Sequence, residues 1–295
     1  MNHDFPYTSA QAFNAALTSR IKTAAKESPY NASQLRKQFA YDRLLARLFT
    51  DPASGWILKG GISMITRLPV ARHTADVDLA AKDRTIQQAL GDLEARAGVD
   101  LGDFFSFHLD PPRTLVQGVE GVRIAVTANI GFRQFERFGV DLVTGTLMTG
   151  LPETGRPILD LGIPGLVHPD YVLYPIADAL ADKISATIEL HNGRASTRFR
   201  DLVDIVLIAR HQKVVAEMAT ALKSERDRRD LELPLVFDVP DRASWTRGYA
   251  TASRDVPGLA EKDVDAALTT AKGLIDPLLD GTAGGVWDPD RGMWG

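Results

Sequence analysis

The sequence predicts an α/β protein: a mixed, mostly antiparallel sheet flanked by helices, followed by a mainly helical C-terminal region. Three observations predict it. Apolar residues recur at helical spacing near both ends of the chain, whereas short alternating or continuously apolar runs cluster between Trp56 and Val143. Glycine- and proline-rich breaks separate those runs. The 295 residues are 44% hydrophobic and 24% charged, which is enough to bury a sizeable core in one large domain or two modest ones.

The elements follow in order. From Ser9 to Lys26, Phe13, Ala16, Leu17 and Ile21 share a helical face behind a Thr8/Ser9 cap, and a second helix is expected from Ser33 to Phe49. Asp51-Pro52-Ala53-Ser54-Gly55 ends it. Trp56-Ile57-Leu58 reads as a short buried strand running into Lys59-Gly60-Gly61 and a short helix. In Ala75-Asp76-Val77-Asp78-Leu79-Ala80-Ala81 acid and apolar residues alternate, as in a strand with two unlike faces. A helix from Arg84 to Ala97 follows, then strands over Phe104–Leu109, Val122–Ala128 and Phe138–Val143. From Tyr171 the chain reads as helical, with a second helix over Thr197–Arg210, a third over Val214–Arg229 and a last over Ala260–Leu279. Leu231 to Gly258 shows no clear period, and Gly281 to Gly295 reads as a loop or a docked terminus. The expected division is 1–170 for the sheet-bearing domain with its N-terminal helices and 171–295 for the mainly helical domain.

Composition excludes several chemistries. No cysteine occurs, so disulfides, thiolate nucleophiles and Cys-ligated metals are out. The six histidines show no zinc spacing, and neither G-x-S-x-G nor a P-loop pattern is present. Met1-Asn2-His3-Asp4-Phe5-Pro6 lacks the basic and apolar regions of a secretory signal, and no apolar stretch approaches a membrane span, so a cytoplasmic protein without membrane contact is expected. The formal charge of −4 disfavours non-specific coating of nucleic acid but leaves room for a local basic patch.

Asp76 and Asp78, two apart in a strand, project from one face about 7 Å apart. Two like charges there call for a cation, and carboxylates at that spacing suit Mg²⁺, which takes a few carboxylates plus phosphate oxygens and water. Asp141, between Val140 and Leu142, is a third acid in an apolar strand. If that strand lies beside the first, the three converge, as a site stabilising a hydroxyl nucleophile and a leaving pyrophosphate requires. Gly60 and Gly61 allow close backbone approach at a helix start whose N–H groups favour phosphate, and Ser63 offers a hydroxyl. Singly these features are common. Their order along the chain is specific.

With those residues in place, the sequence resembles the polymerase-β-like nucleotidyltransferases, and more closely the AbiEii/MenT-type toxins of bacterial toxin–antitoxin systems. The resemblance rests on Lys59-Gly60-Gly61 and on Arg72-His73-Thr74-Ala75-Asp76-Val77-Asp78-Leu79. The fourteen residues between Gly61 and Asp76 lie at the long edge of the general pattern. It extends to Lys183 in Ala181-Asp182-Lys183-Ile184 and to Arg200-Asp201-Leu202-Val203-Asp204, so that it spans about Trp56 to Arg210.

The resemblance implies a polymerase-β-like nucleotidyltransferase fold. It implies Asp76, Asp78, Lys183, Asp201 and Asp204 as catalytic residues, Lys59, Gly60, Gly61, Ser63 and Arg72 as nucleotide-binding, and Asp76, Asp78 and Asp141 as ligands of Mg²⁺ or Mn²⁺. The implied reaction transfers a nucleotide, often a pyrimidine, from a nucleoside triphosphate to the 3′ end of tRNA, which blocks aminoacylation. A cognate antitoxin is the implied partner, and Thr74 stands where some members carry a phosphorylated hydroxyl. Lys183 falls at the margin of an apolar helical face, from which its stem can reach a triphosphate. Asp201 and Asp204 share one helical face, where one of them can orient Lys183 or the acceptor hydroxyl. Arg194, Arg198, Arg200 and the Lys223–Arg229 cluster are the basic residues expected to face RNA. Two alternatives remain: the same chemistry on a protein side chain or small molecule, and a non-catalytic module that binds nucleotide or antitoxin.

Overall fold

The computed structural model describes residues 5–68, 70–115, 121–191 and 193–295. Part of the N-terminal segment read above, residues 1–4, lies outside them. The chain forms two compact units: Met1–Arg67, His73–Thr146 and Pro152–Leu173 make the first, and Leu68–Arg72, Leu147–Leu151 and Tyr174–Gly295 the second. No helix among the described residues is long and apolar enough to cross a membrane.

The first unit opens with α1 (Ala10–Ala24) and α2 (Ala32–Phe49). Ser9 caps α1, accepting from the Ala12 N–H, and Asn31 with Gln34 forms a capping box on α2. After a short 3₁₀ turn (Pro52–Ser54) come β1 (Trp56–Lys59), α3 (Gly60–Arg67), β2 (Asp76–Ala81), α4 (Ile86–Ala97), β3 (Phe105–Leu109), β4 (Arg113–Thr114), β5 (Gly121–Ile130) and β6 (Arg133–Thr144). The short strands β7 (Glu153–Gly155) and β8 (Tyr171–Leu173) complete it. Among the described residues the sheet has eight strands in the order β3-β5-β6-β2-β1-β8-β7, with β4 on β5. The β2–β6 and β1–β8 pairs are parallel and the rest antiparallel, so the expected mixed, mostly antiparallel sheet is present.

One face of this sheet makes the core. Trp56, Leu58, Val77, Leu79, Ile124, Val126, Val140 and Leu142 pack with Phe13, Leu17, Phe39, Leu44 and Leu93 of the helices. Strand alternation then directs Lys59, Asp76, Asp78, Arg123 and Asp141 to the other face. Helix α2 is buried over most of its circumference and carries Arg43 and Arg47 into the interior, where Arg47 forks onto Asp103 at 2.8 and 3.1 Å.

The second unit contains α5 (Ile176–Ile188), β9 (Leu190–His191), β10 (Arg194–Ala195), α6 (Phe199–His211), β11 (Val214–Val215), α7 (Met218–Arg229), α8 (Arg242–Ser253), α9 (Val264–Asp280), β12 (Val286–Asp288) and β13 (Met293–Trp294). Helix α6, the most buried of these, carries Leu202, Val203, Ile205, Val206 and Ile208 at 0% exposure. Two departures from the sequence reading have local causes. Tyr171–Leu173 is strand rather than helix, because Leu173 pairs with Leu58 and α5 starts only after Pro175. Arg242–Ser253 is helical although the stretch lacks a clear period, because Trp245, Tyr249 and Ser253 alone supply its buried stripe. The C-terminal segment is docked through β11–β12–β13, with buried Trp287 donating its indole N–H to the Ala209 carbonyl at 2.8 Å.

Candidate active site

The register of the first unit's sheet lines up charged residues from four successive strands. Lys59 of β1 lies opposite Asp78 of β2, Asp78 opposite Asp141 of β6, and Asp141 opposite Arg123 of β5. Paired residues share a face, so two acids stand side by side between two bases. In the neighbouring row Asp76 lies opposite Gly139, and Gly139 opposite Ala125. The third acid is therefore on the same face of the sheet as the other two, as the sequence requires of a shared site.

The diglycine turn is built against these acids. Gly60 has φ +60°, a left-handed conformation that strains side-chain-bearing residues, and a Cβ there would overlap the Asp78 carboxylate. A Cβ on Gly61 would come 2.6 Å from the Thr74 Cβ. The first turn of α3 thus presses on Asp78 and Thr74, which any other residue pair would push away.

Thr74 is buried, and its hydroxyl donates to Asp76 Oδ1 at 2.9 Å. Its own carbonyl accepts from the buried Tyr41 hydroxyl at 3.3 Å. Burial, and then the nearby Asp76, Glu136 and Asp78 charges, hold the Tyr41 phenol protonated well above its usual range. Ser63 is also buried, and its hydroxyl accepts from Arg67 Nη1 at 2.5 Å.

Arg123 has no counterpart among the residues singled out in the sequence. Its Nε donates to Asp141 Oδ1 at 2.6 Å, and Nη2 donates to Asp141 Oδ2 at 2.9 Å and to Asp76 Oδ2 at 2.8 Å. Burial raises the Asp141 carboxyl pKa, and the hydrogen bonds and charge of Arg123 offset only part of that rise. The signal for Arg123 was weak but present: Val122-Arg123-Ile124 mirrors Val140-Asp141-Leu142, a charge between apolar neighbours in each of two strands. Among the described residues no three His, Cys, Asp or Glu side chains are gathered tightly enough to hold a metal ion as they stand.

The second unit gathers the other sequence-predicted residues. Lys183 of α5 donates to Asp201 Oδ1 at 3.0 Å and to Asp204 Oδ2 at 2.6 Å, both on α6. Arg72 forks onto Asp204 through Nε at 2.9 Å and Nη2 at 3.0 Å, and Arg198 Nε donates to Asp201 at 2.6 Å. Lys183, Asp201 and Asp204 are all buried. Burial alone would lower the Lys183 pKa, but Asp201 and Asp204 outweigh it and hold the ammonium above its ordinary value. Burial likewise works against the Asp204 carboxylate, and Arg72 and Lys183 overcome it, so its pKa is depressed. Both aspartates engage Lys183, where the sequence left open which would.

The basic cluster read as RNA-facing is largely neutralised. Arg228 and Arg229 pair with Glu225 and Asp182, Arg229 also with Glu189, and Arg226 with Asp227.

The first unit thus sets acids from adjacent parallel strands beside a glycine turn. A family model described as nucleotidyl transferase AbiEii toxin, type IV TA system, matches residues 43–270, and the chain belongs to that family. It is thus a nucleotidyltransferase-family toxin of a type IV toxin–antitoxin system, with a nucleoside triphosphate as substrate class and a cognate antitoxin as functional counterpart. Two crystal structures from Helicobacter pylori, of JHP933 and of a candidate nucleotidyltransferase, are similar at TM-scores of 0.45 and 0.46 and 13% and 14% identity. These matches cover 84% and 85% of this chain and 92% and 96% of the two structures. No curated protein matches the sequence.

Proposed function

We propose that the chain transfers a nucleotide from a nucleoside triphosphate to the 3′ end of tRNA and so blocks aminoacylation. Family membership supports nucleotidyl transfer. The observation that carries the site is the in-register placement of Asp78 against Asp141, with Gly60 abutting Asp78.

In this reading Asp76, Asp78 and Asp141 hold Mg²⁺ or Mn²⁺. The donor set supports that assignment: three carboxylates share one face of the sheet, and a guanidinium already seats positive charge between Asp76 and Asp141. When bound, such a cation polarises phosphoryl oxygens and favours the ionised acceptor hydroxyl. The N–H groups at the start of α3 would receive phosphate oxygens. Lys59, beside Asp78 in register, would balance the acids' charge. Thr74 orients Asp76 through its hydroxyl, and Tyr41 fixes the backbone at Thr74. Lys183, Asp201, Asp204 and Arg72 enter the reading as functional residues through the family pattern. Ser63, engaged by Arg67, is the weakest of the proposed phosphate contacts.

The modification reading at Thr74 rests on the family resemblance, and because the side chain is buried it requires local opening of the folded chain. A phosphate on its hydroxyl would remove the donor to Asp76 Oδ1 and place about two negative charges against the acids. Thr74→Glu should then abolish transfer, whereas full retained activity would remove this role.

The direct experiment incubates the purified chain with each labelled nucleoside triphosphate, Mg²⁺ and total cellular RNA and protein, with CTP and UTP the first donors to try. Label at tRNA 3′ ends, lost in Asp78→Asn, is the expected result. Label confined to protein or a small molecule would redirect the acceptor assignment. Absence of any Asp78-dependent label would overturn the catalytic reading.

A further inference from the structure

Arg123 occupies a special place in the charged row. Its guanidinium forks onto both oxygens of Asp141 and reaches Asp76 Oδ2 with the same nitrogen that holds Asp141 Oδ2. It lies over Gly139, whose added Cβ would sit 3.6 Å from its Nε and 3.9 Å from Asp76 Cβ. The guanidinium therefore bridges two of the three acids from neighbouring strands, on a floor left clear by Gly139 and Ala125.

A divalent cation recruited by Asp76 and Asp141 needs the same oxygen lone pairs and the same negative potential. A guanidinium and a divalent cation confined to the same few oxygens repel each other strongly, so the two occupancies compete. Arg123 is also able to leave. Its side chain is 50% exposed, against 31% for Asp76 and 20% for Asp141, and the open side of the sheet gives the freed guanidinium access to water.

We propose that Arg123 is the resident counter-ion of the acid cluster and an internal competitor of the divalent cation. It keeps Asp76 and Asp141 ordered and charge-balanced in the free protein and sets the affinity for metal by having to be displaced. A metal ion arriving alone displaces Arg123 at a cost. One arriving with a triphosphate brings negative charge that a released guanidinium can face, so uptake is biased toward the metal–nucleotide pair. The inference rests on the reading that Asp76, Asp78 and Asp141 hold the cation, and it assigns Arg123 a positioning and competing role outside that ligand set.

The test is Mn²⁺ binding to the full chain without nucleotide, followed by electron paramagnetic resonance of the free ion and by calorimetry. Wild type is compared with Arg123→Gln and Arg123→Lys, and Asp78→Asn is added to each background. Removing a charge-assisted competitor should tighten Mn²⁺ binding by about tenfold or more in Arg123→Gln. Arg123→Lys, a single point charge without the fork, should fall between Arg123→Gln and wild type. Metal-free Arg123→Gln should melt below wild type and gain more in Tm when Mn²⁺ is added, a pattern that loss of a merely structural contact does not produce. Binding that is unchanged or weaker in Arg123→Gln, yet abolished by Asp78→Asn, would overturn the competitor role while sparing the metal site. Uptake that survives Asp78→Asn, or no uptake in any of the proteins, would overturn the metal-site reading and this inference with it.

Discussion

Asp78 and Lys183 were singled out from the same family pattern, yet their surroundings predict opposite consequences for substitution. Asp78 is half-buried on the sheet face opposite the aromatic core, and Asn keeps its size while removing its charge, so Asp78→Asn should lower Tm far less than a core substitution does. Its effect should fall on chemistry. If the carboxylate holds a catalytic cation worth several kcal/mol, labelled-nucleotide incorporation should drop by about two orders of magnitude or more. Lys183, by contrast, is the buried cation between Asp201 and Asp204. Lys183→Met leaves two buried carboxylates with less compensation, a change that costs about 3–5 kcal/mol in comparable buried pairs. Denaturant unfolding should show that loss whatever happens to activity. A Lys183→Met protein as stable as wild type would mean that the ion cluster is not holding α5 to α6. Asp76, Asp78 and Asp141 were legible because acids set among apolar strand residues are a local pattern, whereas Lys183, Asp201 and Asp204 entered through the family resemblance. Arg123 left only a faint local trace, a charge between apolar neighbours, because its partners are fixed by the register of a hairpin partner eighteen positions on and by a parallel neighbour.

At the scale of elements, the segment from β1 through α3 to β2 was readable because its punctuation is chemical. A strand can run directly into a helix at Lys59-Gly60 only if the turn tolerates φ +60°, and the acid strand can approach that closely only if no side chain intervenes. Gly60→Ala adds both penalties, backbone strain and overlap with Asp78, and should abolish transfer and lower Tm. Gly61→Ala meets only Thr74 and should be milder in stability, while disturbing the Thr74 hydroxyl that holds Asp76. The two variants, compared by thermal melts and incorporation assays, test whether the turn acts through Asp78 and Asp76; equal, negligible effects would deny it. Elements held by partners rather than by local pattern escaped the sequence. Strand β8 exists because Leu173 finds Leu58, and β12 because Val286 and Trp287 find Val215 and Val214. Helix α8 buries only every fourth residue along Trp245, Tyr249 and Ser253, too thin a stripe to show as a period.

At the scale of the whole chain, the two ionic clusters should give stability a pH dependence whose sign can be worked out. Asp204 is depressed in the folded state because Arg72 and Lys183 outweigh its burial, so the unfolded chain binds protons there more readily. Its contribution is fully present above the ordinary carboxyl value of 3.8 and is lost as pH falls through the lower folded value. Lys183 has the mirror behaviour: its contribution is present below 10.5 and is lost as pH rises through the raised folded value. Asp141 runs the other way from Asp204. Its raised folded value means that ionising it costs the folded state, so stability from this group is present below 3.8 and declines as pH rises through the folded value. Over the acid range the two aspartates therefore oppose each other. Calorimetry of the full chain from about pH 7 down to about pH 3 should show wild type losing stability at the acid end. Asp141→Asn, which removes the opposing group, should steepen that loss. Asp204→Asn should be less stable at neutral pH and should show a flatter acid limb. An acid limb unchanged in Asp204→Asn would mean that the buried cluster around Lys183 does not carry the pH dependence assigned to it.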